Sequence, residues 1–158
     1  MRHTRTTIAI AAVAIAGFAY GVAAQQKAPA AGALPKVTVY KTSSCGCCKL
    51  WVDHLKASGF DVQAMDVSSA DVRAVSKTAG LKDEDVSCHT AKIGNYVVEG
   101  HVPADDIKRR LKEKPAIAGL SAPGIPQGSP GMEQGSKEPY DVVAFTKDGK
   151  TTVFAKHK

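Results

Sequence analysis

Three cysteines in four positions, Cys45-Gly46-Cys47-Cys48, lie between a strand pattern and a helix pattern, and this junction constrains the fold most. Val37 to Tyr40 is β-branched and aromatic, which favours a strand, and Thr42 to Ser44 are good helix-capping residues. From Cys48 onward, apolar residues recur at helical spacing until Ser58-Gly59. The cysteines are therefore expected at the N-terminus of the first helix, where free backbone N–H groups and the helix dipole stabilise thiolates.

The segments that follow predict an alternation of strands and helices. Their order is a strand over Phe60 to Val67, a helix over Ser69 to Ala79, a hairpin over Val86 to Ile93 and Tyr96 to Glu99, and a helix beginning at Pro103. The first two strands should be parallel, because the connection between them is long enough for a right-handed crossover. This order is that of an α/β, thioredoxin-like domain, which we assign to residues 37–114.

Residues 115–158 are predicted to form a C-terminal extension that packs on the same domain. Pro115 to Pro139 is a Gly- and Pro-rich loop, and a loop of 25 residues in so small a domain is usually disordered or functional. Tyr140 to Phe145 and Thr151 to Phe154 follow as a β-hairpin around Asp148-Gly149. The predicted extension is therefore a Gly/Pro loop followed by a β-hairpin.

The N-terminal segment has the pattern of a cleavable secretory signal over residues 1–24. Arg2 and Arg5 precede an apolar run from Ile8 to Ala24, which ends in small residues that a signal peptidase reads. A retained membrane anchor is the alternative, although a run of 17 residues is short for a membrane span. We therefore expect export, a flexible leader over residues 25–36, and no membrane contact after cleavage.

The formal net charge of +6 is mild, and the basic residues are mostly spread along the chain. The dense run Lys108-Arg109-Arg110 is interpreted as the solvent-exposed face of the third helix. Because no aromatic platform is interleaved with these cations, nucleic-acid binding is not expected.

The number of neighbouring cysteines favours metal binding over simple thiol exchange. A dithiol oxidoreductase needs only an attacking and a resolving sulfur, for which Cys45 and Cys48 are the candidate catalytic pair. Cys47 is then one sulfur too many, but it can serve a metal site completed by Cys88 if the hairpin strand lies beside the first strand. Several thiolates with an imidazole suit Cu(I) or Zn(II), and convergence of sulfurs favours copper. Two structural disulfides are the remaining alternative.

Further candidate metal ligands are two histidines and one methionine. His89 follows Cys88 directly, so in a strand the two side chains point to opposite faces unless a bulge re-aims one of them. His101 precedes the third helix, where a loop histidine could close the site or face solvent. Met132 offers a thioether, a fit ligand for Cu(I) but a poor one for zinc, whereas Met65 is expected in the core.

Four motifs in order resemble the CopG-like copper-resistance family. They are Cys45-Gly46-Cys47-Cys48 with Trp51 and His54, Ser87-Cys88-His89-Thr90-Ala91, Tyr96-Val97-Val98-Glu99-Gly100-His101-Val102-Pro103, and Gly128-Ser129-Pro130-Gly131-Met132-Glu133. The resemblance implies a periplasmic thioredoxin-like protein that binds copper and interconverts Cu(I) and Cu(II). By position, the implied metal ligands are Cys45, Cys47, Cys48 and Cys88, with His101 and Met132 as weaker candidates. Lys82 and Ile125 stand where the family often has Pro and Met, so one soft donor of the loop is absent here.

These patterns together predict a periplasmic copper-binding protein of metal resistance or homeostasis. Its expected partners are copper ions and a periplasmic copper chaperone or an efflux system. Two alternatives stay open at this point. One is a thiol-disulfide oxidoreductase that uses Cys45 and Cys48, and the other is a non-enzymatic copper chaperone or buffer.

Overall fold

The structure is a computed structural model that describes residues 34–158, so the predicted signal peptide and residues 25–33 of the predicted leader lie outside the described residues. The strands are β1 (Val37–Lys41), β2 (Val62–Asp66), β3 (Thr90–Ile93), β4 (Tyr96–Gly100), β5 (Gly119–Ala122), β6 (Tyr140–Phe145) and β7 (Thr151–His157). The α-helices are α1 (Gly46–Ala57), α2 (Ser69–Thr78) and α3 (Ala104–Glu113), and a short 3-10 helix spans Asp83–Asp85. Within residues 34–158, no helix is both long and apolar enough to cross a membrane.

The fold is mixed α/β, with one seven-stranded sheet in the order β2-β1-β3-β4-β5-β6-β7. β1 and β2 pair in parallel, as predicted, and β1 pairs with β3 in antiparallel orientation. Tyr40 lies opposite Thr90, so the segment that leaves the end of β1 and the segment that enters β3 meet at the same edge of the sheet. This register places the cysteine motif after β1 beside Cys88, which precedes β3.

The main hydrophobic core joins alternate residues of β1 to one face of α1. Val37 and Val39 are fully buried, while Thr38 and Tyr40 are half-buried. Trp51 and Leu55, one helical turn apart, belong to the same core cluster and are also fully buried. Burial of side chains of this size contributes about 1.5–3 kcal/mol each. This packing holds α1 on the sheet, and Trp51 Nε1 adds a buried hydrogen bond of 2.9 Å to the Val102 carbonyl oxygen.

The predicted loop over Pro115 to Pro139 contains β5, so that prediction was wrong in part. β5 pairs in parallel with β4 and antiparallel with β6, and all four of its residues are buried. Its sequence has no β-branched residue, so local propensity does not indicate a strand there. A Cβ at Gly119 would overlap the Val97 carbonyl and the Phe145 ring, which explains the glycine. β6 and β7 pair in antiparallel orientation, which confirms the predicted hairpin.

Two side chains lie in environments opposite to those predicted. Arg110, predicted on a solvent-exposed face, is only 1% exposed and lies over the Tyr96 ring. It follows the buried Ile107 by three residues on α3 and therefore shares the helix face that contacts the core. Burial lowers the pKa of Arg110 to about 10. Met65, predicted in the core, is 40% exposed, because it lies on the edge strand β2, where four of the five side chains are exposed.

Candidate metal centre

The cysteine motif occupies the N-terminus of α1, as predicted. Cys45 is the residue before the helix, and it is joined to Cys48 by a disulfide with the two Cα atoms 5.3 Å apart. Cys47 and Cys88 are free thiols. Cys48 is completely buried, whereas the other three cysteines are partly exposed. Molecules in solution can therefore reach Cys45, Cys47 and Cys88 directly, but not Cys48.

The sulfur atoms of the motif and of Cys88 form one cluster. Cys47 Sγ lies 3.6 Å from Cys45 Sγ, and Cys88 Sγ lies 3.5 Å from Cys48 Sγ. All four sulfur atoms lie within 4.8 Å of one another. Burial, with Cys47 nearby as the next cause, raises the pKa of Cys88 to about 12. This thiol keeps its proton in the metal-free protein, so a metal ion that binds to it releases that proton.

Cys88 also belongs to a second group of candidate ligands, together with His89 and His101. His101 Nε2 lies 3.2 Å from Cys88 Sγ, and His89 Nδ1 lies 3.4 Å from it. The prediction that Cys88 and His89 point to opposite faces assumed a strand from Val86, but β3 begins only at Thr90. The segment before β3 does not follow strand alternation, so both side chains reach the same site.

A backbone carbonyl fixes which nitrogen His101 presents to the sulfur. Nδ1 of His101 lies 2.8 Å from the Pro130 carbonyl oxygen, so Nδ1 carries the proton and donates it in a hydrogen bond. Nε2 therefore holds the lone pair that faces Cys88. A hydrogen bond of this kind commonly supports a histidine that binds metal. His101 is completely buried, which excludes the solvated alternative considered from the sequence.

Both imidazoles are buried against Trp51 and against each other. The His89 ring centroid lies 4.4 Å from that of Trp51 and 5.0 Å from that of His101. Burial lowers the pKa of His89 to about 3 and also lowers the pKa of His101. Both rings are therefore neutral at pH 7, and each has a lone pair for a metal ion. Among the described residues, Nε2 of His89 has no hydrogen-bond partner.

The burial of His89 predicts that the metal-free protein loses stability in acid. Its folded pKa lies below the ordinary value of 6.5, so the unfolded chain takes up the proton first as the pH falls. The stability that His89 contributes is complete above about pH 6.5 and is lost as the pH falls toward 3. In urea unfolding, the loss of stability from pH 7.5 to pH 5 should be about 2 kcal/mol smaller for His89→Gln than for the wild type. Equal losses in the two proteins would contradict this explanation.

Glu99 is a buried acid beside the site that was not predicted to be functional, although it lies within one of the four motifs. Its two carboxyl oxygens accept hydrogen bonds from the Ser87 backbone N–H at 2.8 Å and from the Thr90 hydroxyl at 2.6 Å. These bonds hold both ends of the segment that carries Cys88. Burial raises the pKa of Glu99 to about 7. The sequence offers one signal, a single acid within an otherwise uncharged strand.

The loop between β5 and β6 closes the site from the other side. Gly131 in this loop has a φ of +87° and lies against the first turn of α1. A Cβ at Gly131 would lie 2.8 Å from the Cys47 carbonyl oxygen and 3.4 Å from His101 Nδ1. Met132 follows and lines, with Cys47, a cavity of about 420 Å³. The structure therefore places Met132 on the Cys47 side of the sulfur cluster.

The fold and the site define a mixed α/β protein with a candidate soft-metal centre where β1, α1 and β3 meet. Its donors are four sulfurs and two imidazoles, which form two groups. The all-sulfur group consists of the four cysteines, and the mixed group consists of Cys88, His89 and His101, so Cys88 is shared by both. Thiolate and imidazole suit Cu(I) and Zn(II), whereas Mg²⁺ and Ca²⁺ require oxygen ligands. The donor set thus favours a soft metal ion.

Comparison with known proteins identifies the family. The family described as "Protein of unknown function, DUF411" matches residues 86–132. Two solved structures, named "Copper resistance protein copG" forms 1 and 2, are each 41% identical to this chain with a TM-score of 0.72. The matches cover 78% of this chain and 98% of form 1, and 79% of this chain and 99% of form 2. No curated protein matches the chain. The protein belongs to the CopG-like copper-resistance family, which confirms the resemblance of its four motifs.

Proposed function

We propose that this protein binds copper on the sulfur cluster and acts in copper resistance or homeostasis. The proposal is carried by the convergence of four sulfur atoms within 4.8 Å of one another, from Cys45, Cys47, Cys48 and Cys88. Thiolates stabilise Cu(I), the softer of the two common copper ions. Relatives named for copper resistance support copper rather than zinc as the ion that is bound.

We also propose that bound copper changes between Cu(I) and Cu(II). Sulfur donors suit Cu(I), and imidazole nitrogen also suits Cu(II). Cys88 belongs to both ligand groups, so His89 and His101 offer nitrogen next to the sulfur cluster. The thioether of Met132 is a further soft donor at the Cys47 side. This mixture of donors supports redox interconversion without release of the ion.

Thiol-disulfide exchange is the second candidate function, and the Cys45–Cys48 disulfide favours it. A C-x-x-C pair at a helix N-terminus supplies one attacking and one resolving sulfur. A non-enzymatic copper chaperone or buffer is a third candidate. It is supported by the partial exposure of Cys45, Cys47 and Cys88, through which an efflux partner could take the ion.

The proposal also includes a thioredoxin-like fold and a periplasmic location. The order of elements from β1 to α3 supports a thioredoxin-like domain, to which β5, β6 and β7 add a C-terminal extension. The secretory pattern over residues 1–24 supports a periplasmic location. The intact mass of the exported protein tests this location, because cleavage leaves a mature chain that begins at Gln25.

Metal analysis of the reduced protein separates copper binding from thiol exchange. The wild type should retain copper through gel filtration, and Cys47→Ser should lower the copper content because it removes one of the four sulfurs. A dithiol enzyme should instead tolerate Cys47→Ser and fail in an insulin-reduction assay when Cys45 is replaced by serine. Wild-type protein that elutes without copper would overturn the proposal. Turnover of the bound copper by an electron donor would distinguish a redox protein from a buffer.

A further inference from the structure

The Cys45–Cys48 disulfide withholds two of the four proposed thiolate ligands. Two electrons must reduce it before both sulfurs can bind copper. Cys48 is completely buried and Cys45 is partly exposed, so an external reductant reaches the disulfide through Cys45. The chemistry of the surface around Cys45 therefore decides which reductants are accepted.

A cleft of about 240 Å³ opens beside Cys45. It is separate from the cavity beside Cys47 and Met132, because the two have no lining residue in common. Its other walls are a second cysteine, three hydroxyl side chains, one apolar side chain and one cation, namely Cys88, Thr42, Ser69, Ser87, Val72 and Arg73. The exposed disulfide sulfur thus lies in a polar cleft that carries a positive charge.

The positive charge of Arg73 is available to a ligand. The side chain is exposed, and within residues 34–158 it forms no ion pair. Asp71, the acid in the first turn of α2, accepts a hydrogen bond from the Ser68 hydroxyl at 2.6 Å instead. The hydroxyls of Thr42 and Ser69 add hydrogen-bond donors to the same cleft. These groups together suit a carboxylate.

We propose that this cleft binds a small thiol that carries a carboxylate, and that this thiol reduces the Cys45–Cys48 disulfide. Its sulfur attacks Cys45 Sγ, the bond to Cys48 breaks, and Cys48 leaves as a thiolate. A second thiol molecule attacks the small-molecule sulfur of the mixed disulfide and releases Cys45. Two thiols are oxidised to one disulfide, two electrons pass to the protein, and the two protons of the thiols go to the protein sulfurs or to water. The inference rests on the proposed function, because this reduction frees Cys45 and Cys48 for copper.

Reduction rates of the oxidised, metal-free protein test the proposal. Three thiols of similar size serve as probes, namely 3-mercaptopropionate, which is anionic, 2-mercaptoethanol, which is neutral, and cysteamine, which is cationic. Samples are quenched by alkylation, and mass spectrometry counts the alkyl groups on each chain. This number gives the fraction of protein in which the disulfide has been reduced. Arg73→Ala should slow reduction by the anionic thiol about threefold to fivefold, as expected for the loss of one exposed charge interaction. It should leave the neutral thiol unaffected and accelerate the cationic one.

Two further variants control for charge and for folding. Arg73→Lys should restore the rate with 3-mercaptopropionate, and Lys112→Ala, which removes a cation from a different cavity, should change no rate. Each thiol is compared only with itself across variants, so differences in intrinsic reactivity cancel. The proposal fails if Arg73→Ala slows all three thiols equally or slows none. Since no copper is present in this experiment, such a failure leaves the proposed function standing. Conversely, wild-type protein that shows the expected rates but does not bind copper would overturn the proposed function alone.

Discussion

Cys88→Ser should lower the affinity of the reduced protein for Cu(I) by at least about 100-fold. The reason is that Cys88 Sγ is shared by both groups of candidate ligands within residues 34–158, the four sulfurs and the set with His89 and His101. Loss of a residue that only supports a ligand typically costs about 10–100-fold in metal affinity, and loss of a shared ligand should exceed that. Competition with a chromogenic Cu(I) chelator measures the change.

Cys47→Ser is the matched control for Cys88→Ser. It makes the same chemical change, but Cys47 belongs only to the all-sulfur group, so the group around Cys88 and its histidines is left complete. The affinity should therefore fall less than in Cys88→Ser. Far-ultraviolet circular dichroism should show that both variants keep the fold. If Cys47→Ser costs as much as Cys88→Ser, the two groups do not share a ligand in the manner proposed.

Gly131→Ala should destabilise the protein by about 2–5 kcal/mol. Its φ of +87° is in the left-handed region, where a side chain costs about 1–2 kcal/mol. The new Cβ would also lie 2.8 Å from the Cys47 carbonyl oxygen and 2.9 Å from the Trp51 backbone nitrogen. Overpacking of this kind costs about 1–3 kcal/mol more. To remove this overlap, the loop between β5 and β6 must move away from α1. The Pro130 carbonyl, which accepts the hydrogen bond from His101, would move with it.

Gly59→Ala separates the two causes. Gly59 has a nearly equal φ of +91°, but a Cβ there meets no atom within 4 Å. Its substitution should cost only the conformational part, about 1–2 kcal/mol. Urea unfolding of the two variants gives the difference, and Gly131→Ala alone should also weaken copper retention. Equal destabilisation of the two variants would show that the contact between Gly131 and α1 is not tight.

Local patterns were sufficient where neighbouring residues decide the structure. The strand before the cysteines, the helix after them, and the hairpin of β6 and β7 follow from residue type and spacing over a few positions. The approach of Cys88 to the motif also followed, because the order of elements predicted that its strand lies beside β1. β5 and Arg110 could not be predicted in this way. The first is a strand because β4 and β6 flank it, and the second is buried because its helix face contacts the core.

The sequence by itself determined which donor atoms are present and that three of them begin a helix. The tertiary structure decided which donors share a site. Because β3 begins only at Thr90, His89 and Cys88 turn toward the same point, and buried Glu99 holds the segment that carries both of them. The Pro130 carbonyl orients His101. The physical reason is that these arrangements depend on hydrogen bonds and burial between segments far apart in the chain. Residue spacing reports only on contacts within one helix or one strand.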